Sequence, residues 1–246
     1  MNTTENTTVH QIAPLDLALA ALPVLVVIVI LHLWSRDARE TLYGFARMLL
    51  QLTLIGYVLV YIFEAKHAAV IIAVLAVMML VASWIALRTT RLPRRTLYPL
   101  ALAAVLVGGG SVLLLITQGV LSLSPWYAPR YIIPLAGMIF AASMNSISLA
   151  AERFEAEAMR GEPYARARSI ALKAALIPLT NSLFAVGLVS LPGMMTGQIL
   201  SGVSPMIAAR YQIMVMCMMF AAAGLAASLF LLLVKPRFDD IKKAGE

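Results

Sequence analysis

The chain has 246 residues, 61% hydrophobic and 13% charged, with a mean hydropathy of +0.89 and a formal net charge of +7. A water-soluble domain of this length exposes far more charge, so lipid is the solvent for most of this chain. The positive balance does not indicate nucleic acid, because the nineteen Lys and Arg residues fall between apolar runs instead of gathering on one face.

Residues 1–14, MNTTENTTVHQIAP, are polar and lack Lys and Arg, and read as a short external tail. Two Asn-x-Thr triplets there match a glycosylation acceptor, a pattern too short to carry weight. Apolar runs follow near 15–34, 42–63, 68–87, 98–117, 131–150, 171–191 and 206–234. Roughly 20 residues suffice to cross hydrocarbon at about 1.5 Å per residue. A first run followed by several more is not a cleaved signal peptide. The expected fold is therefore all-α, a polytopic transmembrane helical bundle of about seven spans over 15–234, with a tail at 235–246.

Orientation follows from the basic residues. With the N-terminus outside, the inner segments hold fifteen of them: Arg36, Arg39, Arg88, Arg91, Arg94, Arg95, Arg153, Arg160, Arg166, Arg168, Lys173, Lys235, Arg237, Lys242 and Lys243. The outer segments hold only Lys66 and Arg130, with Arg47 and Arg210 in or near spans. Positive charge is retained on the cytoplasmic side, so the N-terminus is expected outside and the C-terminus inside. The basic joint RTTRLPRR, 88–95, is topogenic first and a contact for anionic lipid second.

One inner segment, 152–173, is long enough to do more than connect. Its start favours helix, Gly161 and Pro163 stop it, and a second helical stretch enters the sixth span. It reads either as a solvated loop or as a docking helix for a soluble partner. No G-x-x-x-x-G-K-[ST] occurs, so the chain is not expected to hydrolyse nucleotide or to be an enzyme; GGGS at 108–111 lies mid-span, where glycines permit close packing. No Asp or Glu lies deep in a span, which argues against a carboxylate proton relay. A retinal protein would need a lysine in the last span, and 206–234 has none.

The polar points inside the spans are few. Arg47 and Gln51 share one face of the second span; Arg47 can snorkel, whereas Gln51 must find a partner or line a path. Asn145, Asn181 and Ser182 are similar points in the fifth and sixth spans. The stretch VSLPGMMTGQILSG, 189–202, breaks an apolar run with Pro192, Gly193 and Gly197. It reads as a tight external turn or as an irregular, re-entrant joint lining an opening, since broken backbone in lipid needs protein or water to satisfy it. Met194 and Met195 are weak candidates for soft metal ligands, but fourteen scattered methionines more often mean adaptable packing. Cys217 among Met214, Met216, Met218 and Met219 is weighed the same way. His10, His32 and His67 are too far apart in sequence to suggest a shared site.

The blocks ALIP (175–178), VGLVSLPGMM (186–195), Ser204-Pro205 and Tyr211-Gln212-Ile213 resemble the permease subunit of bacterial iron-export ABC transporters, the FetB family, related to plant aluminium-tolerance half-transporters. RMLLQLTLIGYVLVYIF (47–63) and IIPLAGMI (132–139) extend the resemblance over nearly the whole chain. It implies a bacterial inner-membrane permease that works as two copies with two separate ATPase subunits, which bind ATP and Mg, and that exports iron. Residues 152–163 also resemble the ABC coupling motif Glu-Ala-Ala, three residues, Gly: Glu155, Ala156 and Gly161 match, and Glu157 replaces the second Ala. The resemblance thus marks Glu152, Glu155, Ala156, Gly161 and Pro163 as the ATPase contact. It favours the pathway reading of Gln51, Asn181, Pro192, Gly193, Met194, Met195, Thr196 and Gln198, facing a two-fold interface. Two alternatives stay open: a permease for another metal or a small metabolite, and a membrane sensor or assembly module that does not transport.

Overall fold

The computed structural model describes residues 13–34, 38–64 and 67–243. The Asn-x-Thr triplets, His10, Arg36 and Lys66 lie outside them, as does nearly all of the expected external tail. Two compact units are present, residues 1–64 and 65–246. The first contains α1 (Pro14–Trp34) and α2 (Ala38–Phe63), which pack on each other. Their apolar side chains are almost all exposed, as lipid-facing or partner-facing surfaces are.

The second unit holds α3 (Ala68–Ala86), α4 (Arg94–Val120), α5 (Pro129–Met159), α6 (Tyr164–Ala185), the short α7 (Gly193–Leu200), α8 (Pro205–Leu233) and α9 (Phe238–Lys243). Among the described residues no strand forms; a single isolated bridge joins Val186 and Ser190. By length and composition six helices can cross a membrane: α1, α2, α3, α4, α5 and α8. The helix over the expected sixth span differs from expectation. It starts earlier, at Tyr164, stops at Ala185 instead of 191, and carries Arg166, Arg168 and Lys173 in its first half. The chain is a polytopic α-helical membrane protein.

Lipid tails are as apolar as leucine, so close packing rather than water exclusion must hold the spans together. Alanine stripes at helical spacing do this: Ala167, Ala171 and Ala175 on α6, and Ala222, Ala223, Ala226 and Ala227 on α8, are all buried. α5 packs against α3, α6 and α8 and forms the centre of the unit. α4 reaches α8 through Gly108 and α5 through Gly109, both in one of its two π-helical turns, Val105–Gly109. A Cβ on Gly108 would lie 2.7 Å from the backbone nitrogen of Ala226. The mid-span glycines therefore serve packing, as the sequence suggested.

One end of this unit gathers the 88–93 joint, the 152–164 elbow and the C-terminal residues. The Tyr164 hydroxyl donates to the carbonyl of Leu231 at 2.8 Å, an acceptor in the last turn of α8, where helical carbonyls lack partners. The Tyr164 ring meets Phe154 and Phe238 edge-on, and Arg168 and Lys235 sit over it at 5.5 and 5.6 Å. Residues 238–243 are thus a helix docked on α5. Tyr164→Phe keeps the ring packing but orphans the Leu231 carbonyl, and is expected to cost about 1 kcal/mol. Thermal unfolding in detergent, compared with the parent, measures this.

Candidate functional site

The break at 186–204 resolves into a short helix between two glycine turns. After Ala185 the chain turns through Gly187, at φ +85°, whose N–H donates to the Ser190 carbonyl at 2.9 Å. Pro192 is the N-cap of α7. At the other end Gly202, at φ +88°, donates to Ile199 O while Val203 donates to Gln198 O, the paired bonds of a left-handed glycine cap. Gly193 and Gly197, expected to make the sharp turns, instead lie inside α7. Within 186–204 the residues that need glycine are 187 and 202, because, of the glycines in this stretch, only they adopt the left-handed backbone.

Between the 183–195 segment and α8 lies a cavity of about 360 Å³. Leu183, Val186, Gly187, Leu191 and Met195 line one side, and Ala209, Gln212, Ile213, Met216 and Cys217 of α8 the other. Two methionines and the single cysteine of the sequence are among the lining residues. Gln212 is only 5% exposed, and its Oε1 has no hydrogen-bond partner. Leaving a buried amide oxygen unpaired costs about 1–3 kcal/mol.

A second cavity, about 290 Å³, opens where α5, α6 and α8 meet. Its polar lining is Asn145, Ser146 and Ser182, with the thioethers of Met138 and Met219 beside them. Ser146 is buried and its Oγ has no partner, whereas Ser182 donates to the Pro178 carbonyl at 3.0 Å. Pro178 lacks an N–H, so the α6 ladder loses one bond beside this cavity. The two cavities occupy consecutive stretches of one helix pair. Along α6 the lining passes from Ala175–Ser182 to Leu183, and along α8 from Met219 to Cys217–Ala209.

The elbow that leads into α6 is built from a second glycine cap. Gly161, at φ +85°, donates to Ala158 O, Glu162 donates to Glu157 O, and Pro163 caps α6. Glu152, Gly161 and Pro163 are exposed and Ala156 half-buried. Glu155 is not a surface group: it is 4% exposed, and its Oε2 accepts the Arg91 backbone N–H at 2.8 Å, tying the 88–93 joint to α5. Glu157, which stands where the motif has alanine, is also buried and pairs with Arg153 at 2.7 Å and Arg160 at 3.2 Å.

Of the expected pathway residues, Met195 lines the larger cavity. Asn181 is exposed beside Ser182 but lines neither, and Met194 is half-buried. The Thr196 hydroxyl donates to Pro192 O at 3.2 Å within its own helix, and Gln198 Oε1 is buried without a partner. Gln51 is exposed on α2, in the first unit. Sequence reasoning missed Gln212 and Ser146 and set Met216 and Cys217 aside as packing. An amide two turns into a run as apolar as 206–234 was a signal. Among the described residues no group of three or more His, Cys, Asp or Glu could hold a metal. The donors on offer are amides, hydroxyls and sulfur.

A helical unit of membrane-spanning length, with a polar-lined seam and a charged elbow at one end, defines an integral membrane protein with internal binding space. The model of the Uncharacterised protein family (UPF0014) matches residues 14–163 and 157–238, and the chain belongs to that family. It is 36% identical to a UPF0014 membrane protein of Synechocystis, covering 72% of this chain and 74% of the relative. It is 32% identical to the probable iron export permease protein FetB of Escherichia coli, over 88% of each chain. Identity to the Arabidopsis thaliana protein ALUMINUM SENSITIVE 3 is 33%, over 89% of this chain and 85% of that one. No solved structure matches the chain.

Proposed function

We propose that this chain is the permease subunit of an ATP-driven exporter of the bacterial inner membrane, working as two copies with separate ATPase subunits that bind ATP and Mg. The observation that carries the reading is that α6 joins the elbow to the seam. It begins at Tyr164, directly after the Pro163 cap, and its later turns line both cavities. A rod of 22 residues is about 33 Å long at 1.5 Å per residue. A push on the elbow therefore slides α6 against α8 and reshapes the space between them. Transport needs such a two-state element, biased at one end and read at the other. Iron is the cargo suggested by the name of the E. coli relative.

The test is co-purification with the cognate ATPase, reconstitution in vesicles, and measurement of ATP-dependent Fe(II) flux. Flux that requires both subunits and ATP supports the reading; ATP-independent or absent flux removes it and favours a sensor or assembly role. Asn145→Leu replaces the amide lining the oxygen-bearing cavity and is expected to slow flux about tenfold, the worth of one or two hydrogen bonds. Deleting Gly161 removes the left-handed cap and re-aims the elbow, so ATP hydrolysis is expected to continue without transport. Wild-type coupling in that variant would show that the elbow is not the ATPase contact.

A further inference from the structure

We propose that the outward face of α6 is one wall of a water-filled vestibule, open at the elbow end and reaching the middle of the bundle, through which a water-soluble solute passes. Arg166, Ser169, Lys173, Ile177 and Asn181 recur every three or four residues, so they form one stripe, and all five are exposed. Only Ile177 among them is apolar. Ala167, Ala171 and Ala175, turned away from the stripe, are buried. The contrast with α3 is plain: its exposed positions Val70, Ile72, Val77, Leu80 and Val81 are apolar, as contact with lipid tails requires. Arg166 is held by Glu162 at 3.3 Å, an ion pair at the mouth of the stripe beside the elbow.

Depth decides what covers this face. Ser182, next to Asn181, lines the second cavity together with Asn145 of α5 and Met219 of α8. Both of those stand near the middle of helices long enough to span, Pro129–Met159 and Pro205–Leu233. Asn181 therefore lies near mid-height, and it and Asn145 are both exposed there. Lys173 can snorkel to the headgroups, but the short amide of Asn181, about 12 Å further along α6, cannot. Polar groups at that depth face water or protein, not hydrocarbon. A second copy docked across a two-fold axis through the stripe would set Lys173 against its own image, a repulsion that water screens and a dry contact does not. Water is the occupant that suits the whole stripe, and a hydrophilic wall suits a hydrated solute better than an amphiphile. This deepens the transport reading, yet its test uses the chain alone, so a chain that does not transport and a stripe that is dry are separate outcomes.

The experiment uses the full chain in nanodiscs, without ATPase or nucleotide. Cys217 is the only cysteine, so a Cys217→Ala chain gives a background without thiols. Single cysteines are then placed on the stripe, Ile177→Cys and Asn181→Cys, and on the exposed face of α3, Val77→Cys and Val81→Cys. Each is reacted with a charged methanethiosulfonate, which stays in water and needs a thiolate that hydrocarbon suppresses. Both stripe positions are expected to react at least about tenfold faster than both α3 positions, the effect of one unit in thiolate pKa. Ile177→Cys separates a wet face from a merely polar residue, since it replaces an isoleucine. Variants are compared only where elution and melting match the parent. A stripe position that reacts no faster than the α3 positions would overturn the assignment. Disulfide cross-linking of two copies through Asn181→Cys, at a thiol the reagent does not reach, would overturn it too and put a second copy on this face.

Discussion

Gly108→Val is expected to destabilise the second unit by about 3 kcal/mol or more, the upper end for forced overpacking. A Cβ at this position meets the Ala226 nitrogen at 2.7 Å and its Cα at 2.8 Å, with the Leu225 carbonyl carbon at 3.1 Å. These are backbone atoms, which cannot rotate away as a side-chain tip can. α4 must then separate from α8, and the alanine stripe Ala222–Ala226–Ala223–Ala227 loses its close contact. Gly109 offers no relief, because its own Cβ would meet Ile139 Cγ2 and Ser143 Oγ at 3.2 Å. Gly44→Ala on α2 is the control: nothing lies within 4 Å of its Cβ. There the higher helix propensity of alanine is expected to be neutral or to add about 0.5 kcal/mol. Monodispersity and melting temperature in detergent measure both, and a parent-like Gly108→Val would contradict the described α4–α8 approach.

Glu155→Lys is expected to cost about 3–5 kcal/mol, the penalty for an uncompensated buried charge. The substitution removes the acceptor of the Arg91 N–H and places a cation against that same donor. Glu155→Gln keeps an acceptor oxygen and is expected to lose only about 1 kcal/mol. A failure of coupling in Glu155→Lys would therefore have a folding cause. Glu152 separates the two effects: it is exposed, so Glu152→Lys is expected to leave stability within about 0.5 kcal/mol. If the elbow meets the ATPase, Glu152→Lys lowers flux per ATP hydrolysed while its melting temperature stays that of the parent. Unchanged flux per ATP at unchanged stability would move the docking contact away from Glu152.

The contrast between these two glutamates shows where reading the sequence stops. The motif match placed Glu152 and Glu155 together on a docking surface, three residues apart on one helix. Burial divides them: Glu155 turns toward the 88–93 joint, some sixty positions earlier in the chain, and Glu152 faces outward. Nothing local to 152–163 encodes that contact. The same holds for Gln212, Met216 and Cys217, which look like ordinary occupants of an apolar helix until α6 and the 186–192 turn are laid against them.

The helices themselves were legible from residue order alone. In lipid every backbone donor and acceptor must be satisfied within the segment, so long apolar runs become helices regardless of their neighbours, and Gly-Pro pairs end them. Gly161 and Pro163 ended α5 where the sequence predicted. The stretch 186–204 was ambiguous for the converse reason. Its glycines are interchangeable in sequence, and which of them turns the chain depends on how α7 lies on α8. Local chemistry determined the membrane class, the helices and the elbow; the pairing of helices decided which polar and sulfur atoms share a cavity, because only tertiary packing brings together donors separated by tens of residues.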